Sequence, residues 1–262
     1  MRVLNFHRIE KPTGLEITRL SPARFQQVLD CVGESGRVVG RYARDPLTIM
    51  PEVLFTLDDG FASICDSALP ELRKRGWNAV IFLISEAVGR SDDWDVRILG
   101  RQRPMMNWDQ AREWSQAGFT FGSHTRSHSD LTSLTPARLR AELVDSKQKI
   151  EDELRQEVRY LSYPFGRHNL RVREAAHDAG YSAAFATSGE TGDRYAIPRV
   201  NVHALMTLFE LRHLLSTDGQ PSWRSRLFTS LSAGSATVGN WRKAHTKPAT
   251  DIATRPPLPS TG

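Results

Sequence analysis

The sequence predicts an α/β protein built on a parallel sheet, and three features of its 262 residues carry that reading. Short apolar runs rich in β-branched and aromatic residues alternate with stretches of helical periodicity, as βα units require. Polar residues of chemical interest follow three of those runs directly, where parallel α/β folds place their ligands. The chain is also long enough to bury a large core around such a sheet. These features leave open whether the sheet closes as a barrel.

Taken in order, Arg2–Phe6 is a short apolar strand. Ser21 and Pro22 supply an N-cap and a first-turn proline for a helix reaching about Gly33. Val53–Leu57 is a buried strand that ends at Asp58-Asp59-Gly60, and a helix from Ser63 to Arg75 is closed by Gly76. Ala79–Ile84 is a second core strand. Asn107 leads a helix through Gln116 that stops at Gly118, and Phe119–Gly122 is a strand ending at Ser123-His124. Thr135-Pro136 opens a long helix to Leu154 with Leu139, Leu143, Ser146 and Ile150 on one stripe. Tyr160–Tyr163 is a strand ending at Pro164-Phe165-Gly166. Helix 169–180, strand 183–187, a last strand Pro198–Val202 and a last helix Leu205–Leu215 complete the ordered chain. Residues 232–262 turn Ser/Thr/Gly- and then Pro-rich without periodic apolar positions, so a disordered tail is expected after a domain spanning 1–231.

Charge and composition exclude several classes. The longest apolar run is six residues, Ala79–Ile84, far short of the roughly 18 a membrane span needs. Met1–Arg8 has no apolar core or small-residue cleavage site, so no signal peptide is read and a cytoplasmic location is expected. The net charge of +5 is confined to the last 42 residues: residues 221–262 hold six bases and one acid, leaving 29 of each sign in the first 220. A neutral body is a poor nucleic-acid surface, and no nucleic-acid partner is expected. Cys31 and Cys65 are read as reduced, because a chain of this size folds without a staple.

The chemistry lies at the strand ends. His124 and His128 are four apart, a spacing that aims two imidazoles at one point and suits Zn²⁺, though two unrelated histidines would also fit it. Asp58-Asp59-Gly60 is ordinary turn chemistry, yet adjacent side chains on extended backbone leave in opposite directions and meet different neighbours. One arrangement these residues allow is a metal site of Asp59, His124 and His128, with Asp58 left as a base.

With these residues in view, the chain resembles the polysaccharide deacetylases of the NodB-homology group, carbohydrate esterase family 4. Thr56-Leu57-Asp58-Asp59-Gly60 resembles the family's first motif, Ser123-His124-Thr125-Arg126-Ser127-His128 the second, and Tyr163-Pro164-Phe165-Gly166 the third. Met106-Asn107-Trp108, Ala117-Gly118 and Ala179-Gly180-Tyr181 fit between and after them, and the likeness runs from Val3 to about Leu215. It implies a distorted (β/α)7-type barrel with parallel strands and helices outside. It also implies a divalent metal, read as Zn²⁺, on Asp59, His124 and His128, with Asp58 as catalytic base. Phe165 would offer its backbone N–H to the oxyanion, and Tyr163, Phe165 and Trp94 would offer flat faces to sugar rings, although Trp94 and Trp108 also read as core.

Two positions depart from the family pattern. Ser162 stands where the third motif usually begins with Arg, and the late Leu-x-His motif that supplies an acid has no counterpart. Arg199 resembles a position of the branch with a Tyr-Pro third motif and would orient Asp58. His7 resembles that branch's N-terminal Tyr-His-Arg element, with Phe6 in place of Tyr, and is the expected acid or substrate contact; His203 is a lesser alternative. The implied substrate is an N-acetylated oligo- or polysaccharide. A catalytically silent carbohydrate-binding domain and an amidohydrolase of non-sugar amides remain as alternatives.

Overall fold

Every pairing in the main sheet of the computed structural model is parallel. The structure describes residues 1–11, 18–37, 39–40, 47, 51–91, 103–189 and 192–216. Trp94 and the expected tail 232–262 lie outside the described residues. Along the chain the elements are β1 (Arg2–Phe6), β2 (Arg8–Ile9), β3 (Arg19–Leu20), α1 (Pro22–Glu34), β4 (Val53–Leu57), α2 (Ser63–Lys74), β5 (Ala79–Leu83) and α3 (Trp108–Gln116). They continue with β6 (Thr120–Ser123), α4 (Pro136–Leu154), β7 (Tyr160–Ser162), α5 (Leu170–Asp178), β8 (Ala183–Ala186), β9 (Ile197–Pro198), β10 (Val200–Asn201) and α6 (Leu208–Leu215).

The sheet order is β10-β1-β4-β5-β6-β7-β8-β9. Its two ends are neighbours in sequence, separated only by Arg199. The expected last strand is therefore split: Ile197–Pro198 pairs with β8, and Val200–Asn201 pairs with β1. One kinked stretch thus touches both edges and brings the sheet round nearly to closure. Counting that stretch once leaves seven strands, in keeping with the barrel that the resemblance implies. Near closure removes the exposed edge that a parallel sheet would otherwise present.

Strand alternation then sorts the core. Val3, Leu54, Val80, Phe82, Tyr160, Ala183 and Phe185 form an inner cluster. Leu4, Phe55, Leu57, Ile81, Leu83 and Leu161 belong to a separate, larger cluster with Phe25, Leu69, Leu143 and other helix residues. Fully buried Phe and Leu side chains each contribute about 1.5–3 kcal/mol. Gly122 marks where the interior is tightest: a Cβ there would lie 2.6 Å from the Phe82 ring and 2.9 Å from the Tyr160 carbonyl.

Helix starts follow local chemistry. Ser21 caps α1 through the Arg24 N–H, and Asn107 and Gln110 form a reciprocal capping box on α3. The last helix starts three residues later than expected, because Thr207 and Glu210 build the same device there and leave Leu205 exposed. The two-residue ladder β2–β3 was not legible, being too short to show a period. Cys31 and Cys65 are free and buried. Among the described residues no helix is long and apolar enough to cross a membrane.

Candidate metal centre

The polar strand ends converge as expected. Asp58-Asp59 follows β4, His124 follows β6 and Tyr163-Pro164-Phe165 follows β7, and all of these residues except Pro164 border one cavity. His7, Arg199, Asn5 and Asn201 border it as well.

Asp59, His124 and His128 bring one donor atom each within 4.8 Å of one another. Nε2 of His124 lies 3.4 Å from Oδ1 of Asp59, and Nε2 of His128 lies 3.7 Å from it. Ligands bonded at about 2.0–2.2 Å in a tetrahedral arrangement stand about 3.3–3.6 Å apart, so the spacing suits a single cation. The donor chemistry suits it too. Nδ1 of His124 lies 2.8 Å from the Ser162 carbonyl, an acceptor only, so Nδ1 carries the hydrogen and the Nε2 lone pair faces the site. Burial lowers the His124 pKa against the raising pull of Asp58 and the Ser162 hydrogen bond, which favours the neutral, ligating form. The residues present therefore fit a divalent cation.

Backbone strain gathers at the same place. Five non-glycine residues among those described have positive φ, and four of them are Asp59, Thr125, His128 and Phe165. Each left-handed residue costs about 1 kcal/mol or more and persists only where its surroundings dictate it. Asp59 stands in left-handed backbone at φ 70, and the two acids take different partners: Asp58 meets Arg199 and Asn5 and lies 4.0 Å from His124, while Asp59 is nearer to both imidazoles.

Asp58 is buried and held from several sides. Arg199 donates Nη1 to Oδ1 at 2.8 Å and Nη2 to Oδ2 at 2.9 Å, a bidentate pair. Asn5 Nδ2 adds a third donor at 3.1 Å. Burial alone would raise this carboxyl, but Arg199, His124 and His7 together bring it well below the usual carboxylate range. Arg199 Nη2 also donates to Ser162 Oγ at 2.8 Å, so the guanidinium reaches the position where the family's third motif usually begins with Arg. Small Ser162 leaves room for an arginine that arrives from the closing strand instead. Asn5 and Thr56 complete the network, with Thr56 Oγ1 donating to Asn5 Oδ1 at 2.7 Å. Sequence reasoning missed both, although a polar residue at an inward position of a buried strand was a usable signal.

Other expected site residues are placed differently from one another. Phe165 packs its ring 4.7 Å from that of His128, and among the described residues nothing accepts from its N–H. Gly166 beside it sits at φ +66 against Thr187. Tyr163 corrects the expectation of a sugar platform: its ring is fully buried and its hydroxyl donates to the Tyr195 carbonyl at 2.9 Å. A ring without exposed surface can stack on nothing outside the protein. Burial lowers the His7 pKa to about 4 against the pull of Asp58, so the ring is neutral at pH 7. Arg199 is 3% exposed and spends both Nη groups on Asp58, Ser162 and Asn5, while its buried Nε has no hydrogen-bond partner among the described residues. The Nη bonds make it a holder of Asp58 rather than a substrate contact. His203 is buried and does not border the cavity. Trp108 is half-buried against the outer core.

A nearly closed parallel α/β barrel with an Asp–His–His donor set at the carboxyl ends of its strands defines a class of protein able to hold a divalent cation beside a buried carboxylate. Comparison with known proteins makes this specific. The polysaccharide deacetylase family profile matches residues 48–184, more than half of the chain, and the chain belongs to that family. It is 32% identical over 154 residues to YxkH of Bacillus subtilis (strain 168), a protein carrying the same family name. That match covers 57% of this chain, and the chain spans about half the length of that relative, 51%. Among solved structures, the Streptococcus pyogenes deacetylase PplD in complex with acetate superposes with a TM-score of 0.69 at 20% identity, covering 82% of this chain and 98% of that one. IcaB from Ammonifex degensii gives 0.66 at 24%, covering 82% and 94%. These two likenesses concern the fold. His7 and Arg199 fall outside the matched segment, so their placement rests on the structure.

Proposed function

We propose that this protein is a metal-dependent hydrolase that removes N-acetyl groups from amino sugars of an oligo- or polysaccharide, releasing acetate and leaving a free amine. The observation that carries the reading is the pairing of two differently used acids. Asp59 faces two imidazoles, while Asp58, one residue away, is buried and clamped by Arg199. Two imidazole nitrogens and one carboxylate oxygen within 4.8 Å of one another favour, by donor type, Zn²⁺ among divalent ions. A cation held there supplies Lewis acidity, which lowers the pKa of a water toward about 7 and polarises a carbonyl.

Arg199 keeps Asp58 ionised and points both of its oxygens, at a cost in basicity. A carboxylate so far below its usual range accepts a proton well only from a water already made acidic, so Asp58 as base and the triad as metal holder need each other. The Phe165 N–H is the donor for the developing oxyanion; such a donor is worth about 3–4 kcal/mol. Neutral His7 serves as a hydrogen-bonding contact to the substrate rather than as a stored proton. The Phe165 ring is the flat face for a sugar.

The test is acetyl loss from N-acetylated oligosaccharides, followed by mass spectrometry with added Zn²⁺ and with a chelator. Wild type should release acetate only with metal, and Asp58→Asn should bind metal as before while turnover falls at least about 100-fold. Metal binding without release from any glycan would favour a silent carbohydrate-binding domain. Release from small non-sugar amides alone would favour an amidohydrolase of another substrate class.

A further inference from the structure

The loop that carries both histidines is held by an acid that belongs to none of the family-like motifs. Glu142 lies on α4 and is buried, 5% exposed. Its Oε2 accepts from the backbone N–H groups of Arg126 at 3.0 Å and Ser127 at 2.9 Å, and its Oε1 accepts from the Ser127 hydroxyl at 2.5 Å. Three donors from the centre of the His124–His128 loop thus end on one carboxylate. On either side of that clamp stand Thr125 and His128, both in left-handed backbone at φ 68 and 57. Other ties to the loop come from the segment after β5, where the Ser85 N–H donates to the Thr125 carbonyl at 3.2 Å and the Glu86 N–H to the Arg126 carbonyl at 3.0 Å. Arg126 forms ion pairs with Glu86 and Asp145 at 3.3 Å. Local bonds run from Thr125 N–H to Ser123 Oγ at 3.0 Å and from His128 N–H to Thr125 Oγ1 at 3.2 Å. Glu142 differs in gathering three donors of the loop on one buried carboxylate.

We infer that Glu142 is a positioning residue for the metal centre, fixing Arg126 and Ser127, two of the three residues between the histidines, so that both Nε2 atoms meet Asp59. It touches none of the donor atoms itself and acts through the backbone of Arg126 and Ser127. The inference rests on the metal-binding reading above. The physical reason is the cost of the loop's shape. Relaxing either left-handed residue toward ordinary backbone would swing His128 away from the point it shares with His124. Helix α4 is the rigid element that prevents this, since its stripe of Leu139, Leu143 and Ile150 is buried in the outer core.

The experiment compares Zn²⁺ dissociation constants, by competition with a chromophoric chelator, for wild type, Glu142→Gln and Glu151→Gln. Glu142→Gln keeps the size of the side chain but turns one acceptor into a donor that faces N–H groups. Its affinity should weaken about 10- to 100-fold, as for outer partners of metal ligands generally. The visible spectrum of its Co²⁺ form should shift, and apo Glu142→Gln, though less stable for its lost acceptor, should still unfold cooperatively. Glu151 is the control: it lies on the same helix and accepts from Lys147 and the Val158 N–H, but not from the loop. Its variant should keep wild-type metal affinity. Should Glu142→Gln not fold, Ser127→Ala removes one donor of the clamp, and several-fold weaker binding is expected. Wild-type affinity in the folded variant, or equal weakening in Glu151→Gln, would overturn the inference. Failure of wild type itself to bind Zn²⁺ would instead overturn the metal centre.

Discussion

Replacing Arg199 with Ala should destabilise the metal-free protein by about 3–5 kcal/mol, because it strands a carboxylate inside the barrel. The structure sets the size of the effect. Arg199 and Asp58 are each 3% exposed, and two of the three donors reaching Asp58 come from the guanidinium. The same change also removes donors from Ser162 Oγ and Asn5 Oδ1. Against a typical total of about 5–15 kcal/mol, the variant should still fold but unfold at much lower urea. The assay is urea unfolding with chelator present, in a cycle of Arg199→Ala, Asp58→Asn and the double variant. If the stranded charge is the cause, the double variant should lose less than the sum of the singles by about 2–3 kcal/mol. The pH dependence adds a sign. In wild type the Asp58 carboxyl lies below its usual range, so its contribution is complete above that range and is lost as the pH falls toward the folded value. In Arg199→Ala the largest opposing charge is gone and burial raises the carboxyl, so protonation favours the folded state. The gap between variant and wild type should therefore narrow from pH 7 to pH 5. Additive losses within about 0.5 kcal/mol, or a gap that widens at pH 5, would refute the reasoning.

Three further outcomes are expected. His128→Ala removes one of three donors and should weaken Zn²⁺ binding by at least about 100-fold in the chelator competition, while the apo melting temperature stays close to wild type. Gly166→Ala forces a Cβ to within 2.1 Å of Thr187 Oγ1 at φ +66, so stability should fall by about 1–3 kcal/mol in urea unfolding. Its acetate release should fall further, because the Phe165 N–H next to it moves. Burial pushes the Cys65 thiol up to about 12, so at pH 8 a thiol reagent should label it at least about 100-fold more slowly in the folded protein than in urea.

Much of the fold could be read along the chain because most of its main-sheet strands are largely apolar runs, as buried parallel strands tend to be, and Gly and Asn or Ser punctuate the helices between them. The six main-sheet strands before residue 190 were found to within a residue or two for that reason, and the short pair β2–β3 was not. The closing strand was legible only as Pro198–Val202. Its two halves pair with different neighbours, and pairing is a property of the assembled ring. The candidate metal residues Asp59, His124 and His128, which the fold brings together, were likewise visible from type and spacing, since metal chemistry restricts which side chains could serve. Tyr163 was misjudged because an aromatic side chain looks the same on paper whether it faces a groove or the core, and only burial distinguishes the two.

Residue type and local order were enough to name most strands and helices, because each depends on neighbours within a few positions. The candidate metal residues Asp59, His124 and His128 were named from residue type and their place after predicted strands, since Asp59 lies 65 residues before His124. The resemblance pointed Arg199 at Asp58, but the bidentate grip itself, what took the place left by Ser162 and what braces the histidine loop all depended on near closure of the sheet and on helix packing. Arg199 lies 141 residues from Asp58 in the chain, and Glu142 lies 15 or 16 from the loop it grips. Hydrogen bonds form only where donor and acceptor come within about 3 Å, and across such separations it is the folded backbone that brings them there.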